Sequence, residues 1–119
     1  MALVHEAAGQ RIYASLELSK STWVVALQLP TDDKISIFRV GGGDIERFIA
    51  LLERARDQVG GSPEICTCYE AGYDGFWIHR VLTARGIQNH VLDSASIRST
   101  GAAGGLRLTA RMLKAWFGF

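Results

Sequence analysis

The sequence predicts an α/β protein, in which helices flank a mixed five-stranded sheet. Three observations lead to this prediction. Short runs rich in β-branched and aromatic residues fill the chain before Gly41, with turn residues between them. Two stretches after Gly43 have apolar residues at helical spacing, and each is followed by a short apolar run typical of a strand. A length of 119 residues suits one domain with a single core.

The first three strands are predicted at residues 12–18, 22–29 and 34–40. Ser19-Lys20-Ser21 forms the turn between the first two strands. Residues 30–33 read Pro-Thr-Asp-Asp, which is strong turn chemistry. Connections this short join antiparallel neighbours, so the opening of the chain is predicted to be a meander.

A first helix is predicted from Ile45 to Val59. Asp44 is a good N-cap residue, and Gly60-Gly61 ends the helix. Apolar residues recur three and four positions apart along it, as expected when one face is buried. Its other face carries Glu46, Arg47, Glu53, Arg54 and Asp57.

The next strand is predicted at residues 65–69, with Glu70 where the strand should end. Asp74 can cap a second helix, for which Gly86 is a natural stop. The apolar side of this helix is predicted to comprise Phe76, Trp77, Ile78, Val81 and Leu82.

A fifth strand at residues 89–92 ends at Asp93. Residues 94–105 are small, polar and glycine-rich, so they are expected to be mobile. A last helix is predicted at residues 106–117. Its apolar stripe is Leu106, Ala110, Leu113, Trp116 and Phe117, with Arg107, Arg111 and Lys114 on the opposite side.

Composition indicates a soluble protein of the cytoplasm. Hydrophobic residues make up 48% of the chain and charged residues 21%, and no apolar run is longer than that of residues 23–27, which cannot span a membrane. Residues 1–10 lack the regions of a secretory signal and are expected to be a loose leader before a domain at residues 11–119. Cys66 and Cys68 have no second cluster to complete a zinc site, so buried, reduced thiols are expected.

Charge is distributed unevenly although the net charge is only +1. Residues 1–79 carry 7 Lys and Arg against 11 Asp and Glu, whereas residues 80–119 carry 6 against Asp93 alone. A basic last third could steer a polyanion. A solvated helical face is the commoner explanation of such a pattern.

Glu70 is the first candidate for a functional residue. The carboxyl ends of strands are where ligands bind in α/β sheets, although a solvated carboxylate at a strand end is the alternative. The element order, β-β-β-α-β-α-β-α, is that of the ribonuclease H-like fold, whose first and fourth strands are neighbours about 4.8 Å apart. Glu17 and Glu70 would then lie side by side. A divalent cation between them would offset their repulsion, which is the usual basis of two-metal phosphoryl transfer.

Two stretches carry a family resemblance. LELSKSTWVVAL, residues 16–27, resembles the first-strand motif of the DEDD transposases of bacterial insertion sequences, and residues 68–97 resemble the following half. The matching motifs are Tyr-Glu-Ala-Gly, Leu-x-x-x-Gly and Val-x-Asp-x-Ala-Ser, and the resemblance covers about residues 12–98. It implies a RuvC-like N-terminal domain of a Mg²⁺-dependent DNA strand-exchange enzyme.

Members of this family also carry a C-terminal domain with a serine nucleophile. The full-length proteins are expected to be homo-oligomers, and at least some are guided by a structured RNA.

The resemblance also implies a catalytic set of four carboxylates. Glu70 matches the Glu of the Tyr-Glu-Ala-Gly motif, and Glu17 replaces the first Asp with a side chain one methylene longer. Leu106 and Thr109 occupy the two Asp positions of the last motif, and the C-terminal domain is expected to be missing. The chain is therefore expected to be a truncated transposase domain that is inactive alone. Asp93 would reach the same rim and is a weak substitute ligand.

Several residues could contact nucleic acid or could simply be solvated or packed side chains. The candidates for contact with DNA are Lys20, Arg98, Arg107, Arg111 and Lys114, although a solvated turn lysine is the commoner case for Lys20. His79 and His90 are expected to be packed or exposed rather than metal ligands. Phe76 and Trp77 are expected in the core rather than as a platform for bases.

Two other functional classes share this fold. One is a nucleic-acid-binding or dimerising module without chemistry, which salt-dependent binding without metal-dependent cleavage would favour. The other is a sugar-kinase-like or actin-like ATPase, which binds phosphate at the first hairpin. Residues 16–21 lack the glycine that such a loop needs for close approach of the backbone, so this class ranks last.

Overall fold

The computed structural model describes residues 10–31, 34–70 and 75–92. Seven elements follow one another along these residues: β1 (Arg11–Glu17), β2 (Thr22–Gln28), β3 (Ile35–Gly41), α1 (Ile45–Val59), β4 (Glu64–Glu70), α2 (Gly75–Ala84) and β5 (Gln88–Leu92). The predicted mixed α/β arrangement is confirmed in this part of the chain. The Asp74 cap, Asp93, the loop at residues 94–105 and the helix at residues 106–117 lie outside the described residues.

The strands form one mixed sheet in the order β3-β2-β1-β4-β5. β1 pairs antiparallel with β2, and β2 pairs antiparallel with β3, which confirms the predicted meander. β4 lies parallel to β1, and β5 lies parallel to β4. The middle of the sheet is therefore the parallel pair of β1 and β4. In the sequence, β2, β3 and α1 lie between these two strands.

The limits of the strands differ from the predicted ones by at most one residue at each end. β1 runs over Arg11–Glu17 instead of residues 12–18, so Glu17 and not Leu18 is its last residue. The chain turns immediately afterwards, where the Ser19 hydroxyl contacts the Thr22 carbonyl oxygen and accepts the Thr22 N–H at 3.3 Å. β5 likewise begins one residue earlier than predicted, at Gln88.

Both helices cover the same face of the sheet. Ile12, Ala14 and Leu16 point to this face from β1 and are buried in one apolar cluster. α1 contributes Phe48, Ile49, Leu52 and Ala55 to that cluster, and α2 contributes Ile78 and Leu82. Trp23 of β2 and Trp77 of α2 add a ring contact with centroids 6.1 Å apart. We call this side of the sheet the helix face.

The opposite face carries small buried side chains at its centre. Ser15 and Ala26 are opposite one another in the β1–β2 register, and Cys68 is the parallel partner of Ser15. Cys66 and Cys68 are both buried and free, as predicted from their spacing. Burial raises the pKa of the Cys68 thiol to about 12, so this cysteine stays protonated at neutral pH.

The ends of the helices follow from local sequence. Asp44 caps α1 by accepting the Arg47 N–H at 3.1 Å, which confirms the predicted cap. Gly86, at φ 76°, ends α2 in a Schellman arrangement. Its N–H donates to the Thr83 carbonyl at 3.0 Å, and the N–H of buried Ile87 donates to the Leu82 carbonyl at 2.9 Å.

Phe76 corrects the prediction for α2. Its side chain is 64% exposed, whereas Ile78 and Leu82 are fully buried. Phe76 precedes Ile78 by two residues, which turns it about 200° away around the helix. The apolar side of α2 is therefore narrower than the sequence indicated, and Phe76 lies outside the core. In the described ranges, neither helix has the length and apolar character needed to cross a membrane.

Candidate functional site

The candidate site lies at the edge of the sheet where β1 and β4 end, which we call the carboxylate edge. The parallel register of the two strands runs from Arg11 with Glu64 to Leu16 with Tyr69. Glu17 and Glu70 are the next residue of each strand, so they stand at equivalent positions on adjacent strands. Neighbouring strands are about 4.8 Å apart. The adjacency predicted from the order of elements is therefore present.

The two glutamates point away from the helices. Side chains alternate along a strand, so Glu17 shares a face with Ser15, and Glu70 shares it with Cys68. Leu16 and Tyr69, which precede them, are buried on the helix face. Glu17 and Glu70 are themselves half-buried. The buried residues Leu16 and Tyr69 fix the backbone on which each carboxylate stands. Each carboxylate itself remains partly open to solvent.

Two loops come together at the same edge because Gly42 has no side chain. The Gly42 N–H donates to the Ser21 carbonyl at 3.0 Å, which ties the β3–α1 loop to the β1–β2 turn. A Cβ atom on Gly42 would lie 2.2 Å from the Lys20 carbonyl oxygen. This contact places the exposed Lys20 turn and the start of α1 at the end of the sheet that carries Glu17 and Glu70.

Glu17 and Glu70 do not by themselves fit a two-metal centre. Carboxylate oxygens are the ligands that Mg²⁺ prefers, and one or two of them can hold the ion together with water. Within residues 10–31, 34–70 and 75–92, however, no group of three or more His, Cys, Asp or Glu side chains is arranged to hold a metal. Asp93 and the two positions at Leu106 and Thr109 lie outside these ranges. The described residues supply half of the expected carboxylate set, and one of the two is longer than the resemblance implies.

A second polar group lies under α2, away from the carboxylate edge. The Thr67 hydroxyl lies 2.9 Å from the Gln88 carbonyl oxygen and 2.7 Å from Asn89 Oδ1. Asn89 Nδ2 lies 2.9 Å from His79 Nδ1. These bonds satisfy buried Thr67 and join α2 to β5, as expected of a packed histidine. The sequence predicted that His79 is packed or exposed, and it is half-buried.

The remaining predicted nucleic-acid residues divide into two groups. Lys20 is exposed in the β1–β2 turn, at the carboxylate edge. Arg98, Arg107, Arg111 and Lys114 all lie outside the described residues. The structure therefore brings one of the five predicted basic residues to the site.

Two features of the site region escaped the sequence analysis. The exposure of Phe76 follows from its direction around α2, and the helical angle between Phe76 and Ile78 would have indicated it. The close contact of Gly42 with Lys20 had no sequence signal beyond the run Gly41-Gly42-Gly43, which looked like a simple helix-breaking linker.

Comparison with known proteins gives one clear similarity in sequence. The chain is 44% identical over 91 residues to "Putative transposase y4rJ" of Sinorhizobium fredii (strain NBRC 101917 / NGR234), a match covering 72% of this chain and 23% of that protein. The chain thus spans about a quarter of the length of this relative. No protein-family model matches the sequence.

Solved structures show weaker likenesses. YeaZ from Pseudomonas aeruginosa has a TM-score of 0.44 at 14% identity, over 77% of this chain and 50% of that one. The PPX-GPPA enzyme of Aquifex aeolicus has a TM-score of 0.36 at 14% identity, over 71% of this chain and 36% of that one. At these scores neither likeness assigns the fold to a family.

Proposed function

We propose that the chain is a ribonuclease H-like, RuvC-like unit of a DEDD transposase and acts on DNA in transposition. The observation that carries this proposal is the parallel pairing of β1 with β4, which brings Glu17 beside Glu70. The 44% identity to a protein named as a putative transposase supports the same activity. A guide RNA, further subunits and a place in the cytoplasm are expected from the resemblance and the composition of the chain.

Glu17 and Glu70 would be two of the four carboxylates of a Mg²⁺ site. A bound Mg²⁺ would polarise a phosphodiester and stabilise the charge that develops on its oxygens. The chain's own contribution is to fix two carboxylates at the same level of adjacent strands. Lys20, in the turn at the same edge, would contact a backbone phosphate and help to position the strand.

The incomplete ligand set leads us to propose that strand cleavage is lost in this chain. Two carboxylates leave much of the charge of two Mg²⁺ ions uncompensated, and Mg²⁺ requires nearly ideal octahedral geometry. Glu17 also moves its oxygens outward by about one bond length relative to Asp, and a displacement of about 1 Å can lower a rate about a hundredfold.

The alternative function is a nucleic-acid-binding or dimerising module without chemistry. The observation that favours it is the lack of a third metal-ligating side chain beside Glu17 and Glu70 in the described ranges. Such a module would bind DNA through phosphate contacts, with an affinity that falls steeply as salt rises and does not depend on Mg²⁺.

The test compares DNA cleavage by the unmodified chain and by Glu70→Gln, each with Mg²⁺ and with a chelator. We expect no cleavage above background from either protein and DNA binding from both. Binding that Mg²⁺ strengthens in the unmodified chain and not in Glu70→Gln would support the transposase-derived unit in its non-cleaving form, whereas binding that does not depend on Mg²⁺ would support the module without chemistry. Mg²⁺-dependent cleavage that disappears in Glu70→Gln would show that the site works as it stands and would overturn the proposed loss of activity.

A further inference from the structure

We propose that one flank of α1, formed by Arg47, Ala50, Leu51 and Arg54, binds the phosphate backbone of duplex DNA. This inference rests on the proposed function for its choice of DNA, but its evidence comes from a different part of the molecule. We call this surface the arginine flank. In the sequence, Arg47 and Arg54 share the polar face of α1 with Glu46, Glu53 and Asp57.

The arginines of the flank are aligned along the helix. Arg47 and Arg54 are seven residues apart, which at 3.6 residues per turn places them within about 20° of each other around the axis. The same spacing separates them by about 10.5 Å along the axis. Both side chains are exposed. Two guanidinium groups therefore project in nearly the same direction, about two turns apart.

Acidic residues occupy the other flank of the same helix. Glu46, Glu53 and Asp57 lie about 60–100° from Arg54 on the side away from Leu51. Glu46 is engaged from α2, since its Oε2 lies 2.7 Å from Arg85 Nη2. This ion pair fixes the acidic flank towards the end of α2. The arginine flank lies on the side of α1 away from Glu46 and the end of α2, and Asp57, three residues after Arg54, is the acidic side chain nearest to it around the helix.

A surface cavity lies between the two arginines. It has a volume of about 160 Å³ and is lined by Arg47, Ala50, Leu51 and Arg54. Leu51 is half-buried and packs against the core, so the floor of the cavity is fixed. Neither guanidinium forms an ion pair with another residue of the described ranges. The guanidinium fork can bind phosphate oxygens in a bidentate way, which makes a phosphodiester a suitable anion.

The arginine flank begins at the carboxylate edge. Arg47 is in the first turn of α1, and the bond from Gly42 to Ser21 holds that turn beside the β1–β2 hairpin. Phosphates of one DNA strand advance by about 3.4 Å along the duplex axis, so the two arginines span about three phosphate steps. Glu17 and Glu70 face the other side of the sheet, so the arginines would contact a stretch of the duplex away from the carboxylates.

The experiment measures binding of the whole chain to a fluorescent DNA duplex between 50 and 200 mM salt, with a chelator present. The variants are Arg47→Gln, Arg54→Gln and the double substitution. Each phosphate contact contributes about 0.9 to the slope of log K against log salt. We expect each single variant to reduce the slope by about 0.9 and the double variant to reduce it by about 1.8, with a loss of affinity in each case.

Arg56→Gln is the matched control. Arg56 is on the same helix and carries the same charge, but it lies about 200° from Arg54 and is half-buried. We expect this variant to leave the slope unchanged. Thermal denaturation of every variant checks that the fold is intact.

Three outcomes would overturn the inference. If the unmodified chain binds DNA and the double variant keeps its slope, the arginine flank is not the contact surface, while the proposed function stands. If Arg56→Gln lowers the slope as much as Arg54→Gln, net charge and not the flank is responsible. If the same variants weaken binding of a duplex RNA but not of DNA, the surface belongs to RNA. Failure of the unmodified chain to bind any DNA would instead contradict both proposals.

Discussion

Glu17 and Glu70 occupy equivalent positions at the ends of adjacent parallel strands, immediately after the last register pair, Leu16 with Tyr69. Like charges opposite one another on neighbouring strands are unfavourable. The carboxylate edge therefore brings two negative charges into local conflict. A bound cation, or the phosphate-bound cation of a substrate complex, would relieve it.

This conflict predicts the effect of removing one charge. In the presence of a chelator and at low salt, Glu70→Gln is expected to raise the free energy of unfolding by about 0.2–1 kcal/mol. Urea denaturation measures the change. Glu64→Gln is the control at the other end of β4, where Glu64 Oε2 lies 3.8 Å from Arg11 Nε. That variant should gain nothing, and a loss of stability in Glu70→Gln would show that the Glu70 charge is already compensated.

Gly42 gives a second prediction, on the loops of the site. A methyl group at this position would meet the Lys20 carbonyl oxygen at 2.2 Å, so the β1–β2 turn must move away from the β3–α1 loop. We expect Gly42→Ala to lower the free energy of unfolding by about 1–3 kcal/mol, the usual cost of overpacking. Gly41→Ala is the matched control, because its Cβ would have no neighbour closer than Asp44 Cβ at 4.0 Å. Equal stability of the two variants would mean that the loops separate without cost.

The sequence predicted the order of strands in the sheet, because that order follows from the positions of a few turns and helices. Turn residues at 19–21 and 30–33 leave room only for a meander, and the helical spacing from Phe48 to Ala55 indicated α1. Once a helix connects β3 to β4, β4 has few places to lie, and the parallel position beside β1 follows. The adjacency of Glu17 and Glu70 was therefore predictable without knowledge of any side-chain packing.

Features that depend on direction or on close contact were not predictable in the same way. Phe76 is apolar and next to Trp77, but one residue of difference decides whether a helical side chain is buried. The alignment of Arg47 with Arg54 is visible in their spacing, whereas the pairing of Glu46 with Arg85, which separates the two flanks of α1, joins residues far apart in sequence. The bonds from Thr67 to Asn89 and from Asn89 to His79 likewise depend on how β4, β5 and α2 meet.

Cys68 gives a prediction for the pH dependence of stability. Burial raises its pKa from 9.0 to about 12 in the folded chain. Below pH 9 the thiol is protonated in both states and has no effect. Between about pH 9 and 12 the unfolded chain releases the proton and the folded chain keeps it, so the free energy of unfolding falls by up to about 1.4 kcal/mol per pH unit.

The measurement is the difference between the unmodified chain and Cys68→Ala, which cancels the titration of lysines and tyrosines. Cys68→Ala is expected to be the less stable protein near pH 8, because it loses buried volume. The gap should narrow as the pH rises above 9. A gap that stays constant up to pH 11 would mean that Cys68 ionises as readily in the folded chain as in the unfolded one.

The metal site gives the last prediction, which tests whether an incomplete carboxylate set explains the proposed loss of cleavage. The triple variant Glu17→Asp, Leu106→Asp and Thr109→Asp restores the set implied by the transposase resemblance, although positions 106 and 109 lie outside the described residues. We expect the melting temperature of this variant to rise with Mg²⁺ concentration, because an ion that binds only the folded state stabilises it by mass action. The unmodified chain should show no comparable rise.

The order in which the substitutions act separates charge from geometry. Leu106→Asp or Thr109→Asp alone leaves the ligand set incomplete, so neither single variant should respond to Mg²⁺ as the triple variant does. Adding Glu70→Gln to the triple variant should abolish the response, since Glu70 is the carboxylate that is unchanged from the set implied by the resemblance.

Ca²⁺, which accepts more ligands and looser geometry, serves as the comparison ion. A response to Ca²⁺ without one to Mg²⁺ would indicate that the carboxylates meet but not in octahedral geometry. If the triple variant responds to neither ion, the four positions do not converge, and the assignment of residues 106 and 109 to the site is wrong.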